Sequence, residues 1–187
     1  MYIKEIGSII PDLEIDGKPA PYGVLNERAV RATAGIMFLV GIITVMYTFF
    51  TKDFMVVNFI LPLFFLNFII LVLWGPKYSP ISKLGSYLVR KQKPDYVGAI
   101  QKRFAWTLGL LLSLVVMILI YGFNMTGVVP LILCSICIAL MWMESSLGIC
   151  VGCKIYSYLI KKGILKEPIH RPACLGGVCN ISSRTEL

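Results

Sequence analysis

Residues 83–91, KLGSYLVRK, and residues 154–162, KIYSYLIKK, are identical at five of nine positions and conservative at three more when offset by 71. In both, apolar side chains recur at helical spacing with lysines on the other side: Ile81, Leu84 and Leu88 lead through the first, Ile155 and Leu159 through the second. Each stretch also closes a longer unit of the same plan. Apolar segments Ala34–Phe50 and Phe54–Trp74 precede the first, and Phe104–Tyr121 and Gly127–Met143 precede the second. At about 17 to 21 residues, and roughly 1.5 Å per residue, each segment can cross a ~30 Å hydrocarbon core as a helix. The expectation is an all-α integral membrane protein with four transmembrane helices arranged as two tandem two-helix repeats. Each repeat ends in a cytoplasmic amphipathic helix lying in the headgroup plane, with Tyr87 and Tyr158 as interfacial rings. Two-span units enter from the same side, so the repeat is parallel.

Composition agrees. Of the 187 residues, 57% are hydrophobic and 15% charged, against roughly 45–50% and ~25% in soluble domains. Of 18 lysines and arginines, only Lys52 falls in an expected outer loop. The other seventeen lie before the first span, in the middle connection or in the tail, so the positive-inside rule places both termini and the middle connection in the cytoplasm of a bacterial inner membrane. The net charge of +8 then reads as lipid-headgroup contact, with the bilayer as partner and no nucleic acid. Residues 1–25 are expected to form a cytoplasmic segment, 26–165 the membrane domain, in units 26–93 and 96–165, and 166–187 a cytoplasmic tail. Met1–Arg31 lacks a signal-peptide pattern, and "EIDGKPAP" reads as a turn with a short hairpin.

Three stretches, "NERAVRATAGIMF" before the first span, "WGPKYSPISKLGSYLV" after the second and "GICVGCKIY" after the fourth, together resemble the bacterial membrane family catalogued as domain of unknown function 4395. The resemblance covers about Asn26 to Ile160 and is most specific at the Gly-x-Cys-x-Gly-Cys cluster. It implies a small four-span protein with a cysteine pair, and no defined activity or cofactor. This chain adds Cys134, Cys137 and the tail "RPACLGGVCN".

The offset of 71 lays Ser79-Pro-Ile-Ser82 over Cys150-Val-Gly-Cys153. A scaffold needing only small residues would be served by serine twice, so two thiols at equivalent positions point to chemistry. Cys-x-x-Cys spacing lets two sulfurs face one another across a helical turn, often with a lowered pKa. Gly148 and Gly152 weaken continuation of the fourth span. A helix restarting there would put Cys153 near a new N-terminus and favour its thiolate. Cys174 and Cys179, in the tail, could exchange disulfide or sulfane sulfur with that pair. Alternatively, the four thiolates could hold zinc. Eight extended residues span up to ~28 Å, enough for the tail to fold back. Cys134 and Cys137 fall inside the fourth span, where cysteine serves as a small hydrophobe or as a second pair leading inward. Glu144 is the carboxylate near the end of that span, either an acid, base or ion site or a headgroup-facing side chain. Asn58 and Asn67 are expected to bond between helices, and His170 is a solvated loop residue.

No Ser-His-Asp set, phosphate loop or paired catalytic carboxylates are found, which argues against a hydrolase or a nucleotide-driven pump. The sequence supports a cytoplasm-facing thiol-disulfide or persulfide relay, served by a thioredoxin-like or sulfurtransferase-like protein. The alternatives are soft-metal transport or sensing of zinc, copper or mercury, and a structural membrane partner without thiol chemistry.

Overall fold

The computed structural model describes residues 23–165 in full and the backbone of 7, 13–15, 18–19 and 181–183. In chain order the elements are β1 (Leu13–Ile15), β2 (Lys18–Pro19), β3 (Val24–Asn26), α1 (Glu27–Thr51), α2 (Met55–Leu73), α3 (Pro80–Leu88), β4 (Tyr96–Gly98), α4 (Ala99–Met117), α5 (Val128–Ser146), α6 (Val151–Lys161) and β5 (Ile181–Ser183). The last turn of α4 widens into a π-helical stretch, Ile118–Gly122. α1, α2, α4 with its extension and α5 are each long and apolar enough to cross a membrane. Their outward faces carry large apolar side chains such as Phe59, Leu63 and Leu66. Such a belt is at home in lipid, and the protein is a multi-pass membrane protein.

The two repeats are present, and each opens with a strand that hydropathy does not reveal. β3 leads directly into α1 and β4 into α4, 72 residues apart. The strands pair antiparallel, with Val24 opposite Gly98, Leu25 opposite Val97 and Asn26 opposite Tyr96. Leu25 therefore faces its own counterpart, and the flanking pairs exchange roles. This is the signature of a two-fold axis, as in an isologous dimer interface. Helix contacts obey the same rule: α1 packs on α5 as α2 packs on α4, and α1 holds α3 as α4 holds α6. Small residues let these helices approach. A Cβ on Gly41 would lie 3.1 Å from Ile138, and one on Gly109 2.7 Å from the Phe68 ring.

Local sequence sets the boundaries. The Asn26 side chain accepts from Arg28 N, so α1 begins at Glu27 and continues the spanning helix back past the apolar segment's start at Ala34. Ser79 caps α3 by accepting from Ser82 N at 3.1 Å, with Pro80 at the first helical position. The same Ser79 hydroxyl donates to Asn67 Oδ1 at 2.6 Å, and Asn67 Nδ2 reaches Met37 Sδ at 3.4 Å, so Asn67 does link elements. Asn58 is exposed and takes part through its carbonyl, which accepts from Tyr121 Oη at 2.6 Å. α3 turns Ser82 and Gly85 toward α1 and leaves Leu84, Tyr87 and Leu88 outside. β1 pairs with β2, matching the expected hairpin, and also with β5.

Gly85 sets how closely α3 sits on α1, because a Cβ there would lie 2.9 Å from Thr33 N and 3.0 Å from Ala29 O. Gly85→Ala is therefore expected to cost about 1–3 kcal/mol. Gly122→Ala meets only Ile118 Cγ2 at 3.7 Å and should stay within about 0.5 kcal/mol. Thermal unfolding of the two variants in the same detergent checks the contrast.

Candidate functional site

α5 stops where the chain requires it to. The Arg31 guanidinium, from α1, donates to the Ser145 and Ser146 carbonyls at 3.3 and 3.4 Å. Gly148 then takes φ +66°, and a Cβ there would meet Arg31 Nη1 at 3.0 Å. The chain reverses and α6 starts at Val151 with Cys150 as its cap. Cys150 Sγ accepts from Cys153 N at 3.4 Å, as Ser79 Oγ accepts from Ser82 N in the other repeat. The Cys153 and Cys150 sulfurs lie 2.7 Å apart. Gly152 does not break the helix; it lets α6 close on α4, since a Cβ there would fall 2.7 Å from Ala105 Cα.

A buried charge cluster lies beside the thiols. Lys102 on α4, 3% exposed, places Nζ 2.8 Å from Glu144 Oε1 on α5, and 3.1 and 3.0 Å from the two carboxylate oxygens of Glu27 on α1. One ammonium thus joins three helices and both repeats. Its symmetry mates are apolar. The offset between α1 and α4 puts Val30 in the place of Lys102 and Ala99 in the place of Glu27, and the offset of 73 between α2 and α5 puts Leu71 in the place of Glu144. Val30, Leu71 and Ala99 are all buried in the main apolar cluster. The fold is built without charge in one half, so it does not demand charge in the other.

The surroundings divide the two thiols. The hydrogen bond from Cys153 Sγ draws the Cys150 thiol below its ordinary range, aided by Lys102 and the Cys153 N–H and opposed by burial and by the Glu144 carboxylate. Cys153 moves well up, because its proton is held in that hydrogen bond and the site is buried. Favouring of the thiolate therefore falls on Cys150, not on Cys153 as helix restart alone implies. The sulfur in the capping position receives the free N–H, and that position is 150.

Two clefts flank the cluster and repeat the two-fold. One, about 440 Å³, lies beneath α3 and includes Thr33, Ala34 and Met37. The other, about 180 Å³, lies beneath α6 and includes the counterparts Ala105, Trp106 and Gly109. Phe68, Trp106, Met141 and Glu144 belong to both. Cys150 and Cys137 line the smaller cleft, while Cys134 and Cys137 share a third, wholly apolar cavity of about 60 Å³.

This geometry coincides with a family match over residues 25–161. The chain belongs to the family described as domain of unknown function DUF4395. No curated protein and no solved structure matches. In this DUF4395 protein the structure brings Cys150, Cys153 and Glu144 together around Lys102. Cys134 and Cys137 pack among apolar side chains, in separate core clusters. Cys174 and Cys179 lie outside the described residues. Among the described residues no group of three or more histidine, cysteine or acidic side chains is placed to hold a metal. Sequence reasoning missed Lys102 and Glu27, counting the lysine as one more loop cation. Laying the repeats over one another also at α1 and α4 marks both, since each charge replaces an apolar residue.

Removing only Lys102 leaves two carboxylates buried without their counter-ion. Lys102→Met should cost ~3–5 kcal/mol, whereas the triple change Lys102→Val, Glu27→Ala, Glu144→Leu, which copies the other repeat, should leave stability nearly unchanged. Unfolding in detergent compares them. A thiol with a lowered pKa ionises at lower pH, so Cys150 alkylation should reach half its maximal rate below the ~8.5 of a free cysteine. Lys102→Met should move that midpoint up.

Proposed function

We propose that this DUF4395 protein is a thiol-disulfide relay at the cytoplasmic face of a bacterial inner membrane, with Cys150 as the exchanging sulfur and Cys153 as its resolving partner. The observation that carries this is the capping geometry: Cys150 Sγ accepts the Cys153 N–H while the two sulfurs touch. A thioredoxin-like soluble protein suits the other side of the exchange, because it presents a thiol pair of its own. Its thiolate attacks Cys150 Sγ of the Cys150–Cys153 disulfide, and Cys153 leaves and takes up a proton. The second partner thiolate then attacks the mixed disulfide. Cys150 departs as thiolate, the partner leaves oxidised, and two electrons have entered the Cys150–Cys153 pair. A low-pKa sulfur leaves fastest, which fits Cys150 in that position. Cys174 and Cys179 are proposed to pass electrons to the same pair from the tail. The basic end of the bundle, which carries β3, β4, α3 and α6, faces the cytoplasm on this reading.

Cys153→Ser should accumulate a reductant-sensitive adduct on Cys150 in acid-quenched cells, and Cys150→Ser should leave Cys153 bare. Mass spectrometry reads the adduct as a protein thiol or as a single sulfur atom, which separates disulfide exchange from persulfide transfer. The relay fails if neither variant carries an adduct. Strong labelling of Cys150 by an impermeant reagent on sealed cells would overturn the orientation.

A further inference from the structure

A relay that receives two electrons must deliver them, and the cleft beneath α6 shows where. Its head is polar, with Cys150 and Glu144 both lining it. Its floor is aromatic, from Phe68 and Trp106. Its rim includes Leu140 and Ile155, which are 38% and 41% exposed on the apolar outer surface. The cleft thus runs from lipid-facing side chains to the low-pKa sulfur, between α4 and α5, which touch one another less closely than α1 touches α5. Gly109 keeps the floor open, since a side chain there would run into Phe68. The opposite cleft beneath α3 is lined by Ser82, Ser86, Lys77 and Lys83 and by no cysteine.

We infer that this lateral cleft admits the ring of a membrane-dissolved quinone, which takes the two electrons from the Cys150–Cys153 pair. The inference rests on the relay reading above. An apolar, aromatic-floored slot with one carboxyl group among its lining residues fits a planar carbonyl ring whose tail stays in lipid, and 180 Å³ leaves room for the head alone. Passage of electrons from a protein dithiol to a quinone is established chemistry. Cys150 thiolate adds to a ring carbon, and the displaced carbonyl electrons settle on oxygen, which takes a proton through Glu144. Cys153 Sγ then attacks Cys150 Sγ, the sulfur–carbon bond breaks, and its electron pair returns to the ring. The second ring oxygen takes the proton that Cys153 loses. Dithiol and quinone have become disulfide and hydroquinone.

The test uses the full chain, reduced and reconstituted in phospholipid vesicles, with a fully substituted short-chain benzoquinone to suppress random alkylation. Hydroquinone absorbance and free-thiol loss are followed together, and exchange with glutathione disulfide is measured in parallel. Hydroquinone should form in step with thiol loss and vanish in Cys150→Ser. Leu140→Trp, which plugs an exposed rim and spares the core, should lower the ratio of quinone rate to glutathione-exchange rate about tenfold or more. Glutathione exchange without quinone reduction, or an unchanged ratio in Leu140→Trp, overturns the quinone cleft and leaves the relay standing. Loss of both reactions in the wild-type chain overturns the relay itself.

Discussion

A three-residue antiparallel contact governs this molecule. Where β3 meets β4, Leu25 lies opposite its own repeat counterpart Val97, and a strand pair joined that way can only relate the two repeats by a two-fold. Each strand runs straight into a membrane helix, so the same operation positions α1 against α5 and α2 against α4. Backbone hydrogen bonds at the membrane's edge thereby orient helices that lipid alone would leave free to associate in several ways, since apolar burial supplies no preference between helix and lipid.

On that symmetric frame, the site is made by departures from symmetry. Ser79 and Ser82 become Cys150 and Cys153; Val30, Leu71 and Ala99 are answered by Lys102, Glu144 and Glu27. None of these changes is favoured by folding. Serine is among the preferred helix caps and sulfur is a weak acceptor, so Cys150 caps α6 less well than Ser79 caps α3. A buried ammonium with two carboxylates carries a desolvation cost that an apolar trio avoids. The two departures converge where Cys150 shares a cleft with Glu144, the carboxylate that Lys102 holds; there the hydrogen bond from Cys153 favours the Cys150 thiolate and Lys102 adds to it, against burial and Glu144. That convergence is the physical basis of the proposed relay.

The two thiols are also made unequal by position alone. A helix presents free N–H groups at its first turn, and the residue just before that turn receives them. Cys150 holds that place, and Cys153, one turn in, donates both its amide and its thiol proton toward it. A two-residue spacer thus gives the two sulfurs different surroundings, one receiving the hydrogen bonds that the other donates.

Much of this was legible in the chain. Length and hydropathy determine four spans because a bilayer core has a fixed thickness, and the 71-residue offset determines the duplicated plan and singles out Cys150 and Cys153. The break near Gly148 follows from glycine's access to positive φ. What the sequence could not decide by itself depends on neighbours distant in the chain. Three-residue strands carry too little periodicity to register, and only pairing makes them visible. Whether Lys102 is a loop cation or a buried one is decided by Glu27 and Glu144, 75 and 42 positions away. The choice of Cys150 over Cys153 turns on which residue occupies the cap, and that is set where Arg31 stops α5, a contact across 114 residues. Local rules determine elements; the direction of a hydrogen bond and the burial of a charge are properties of the assembled bundle.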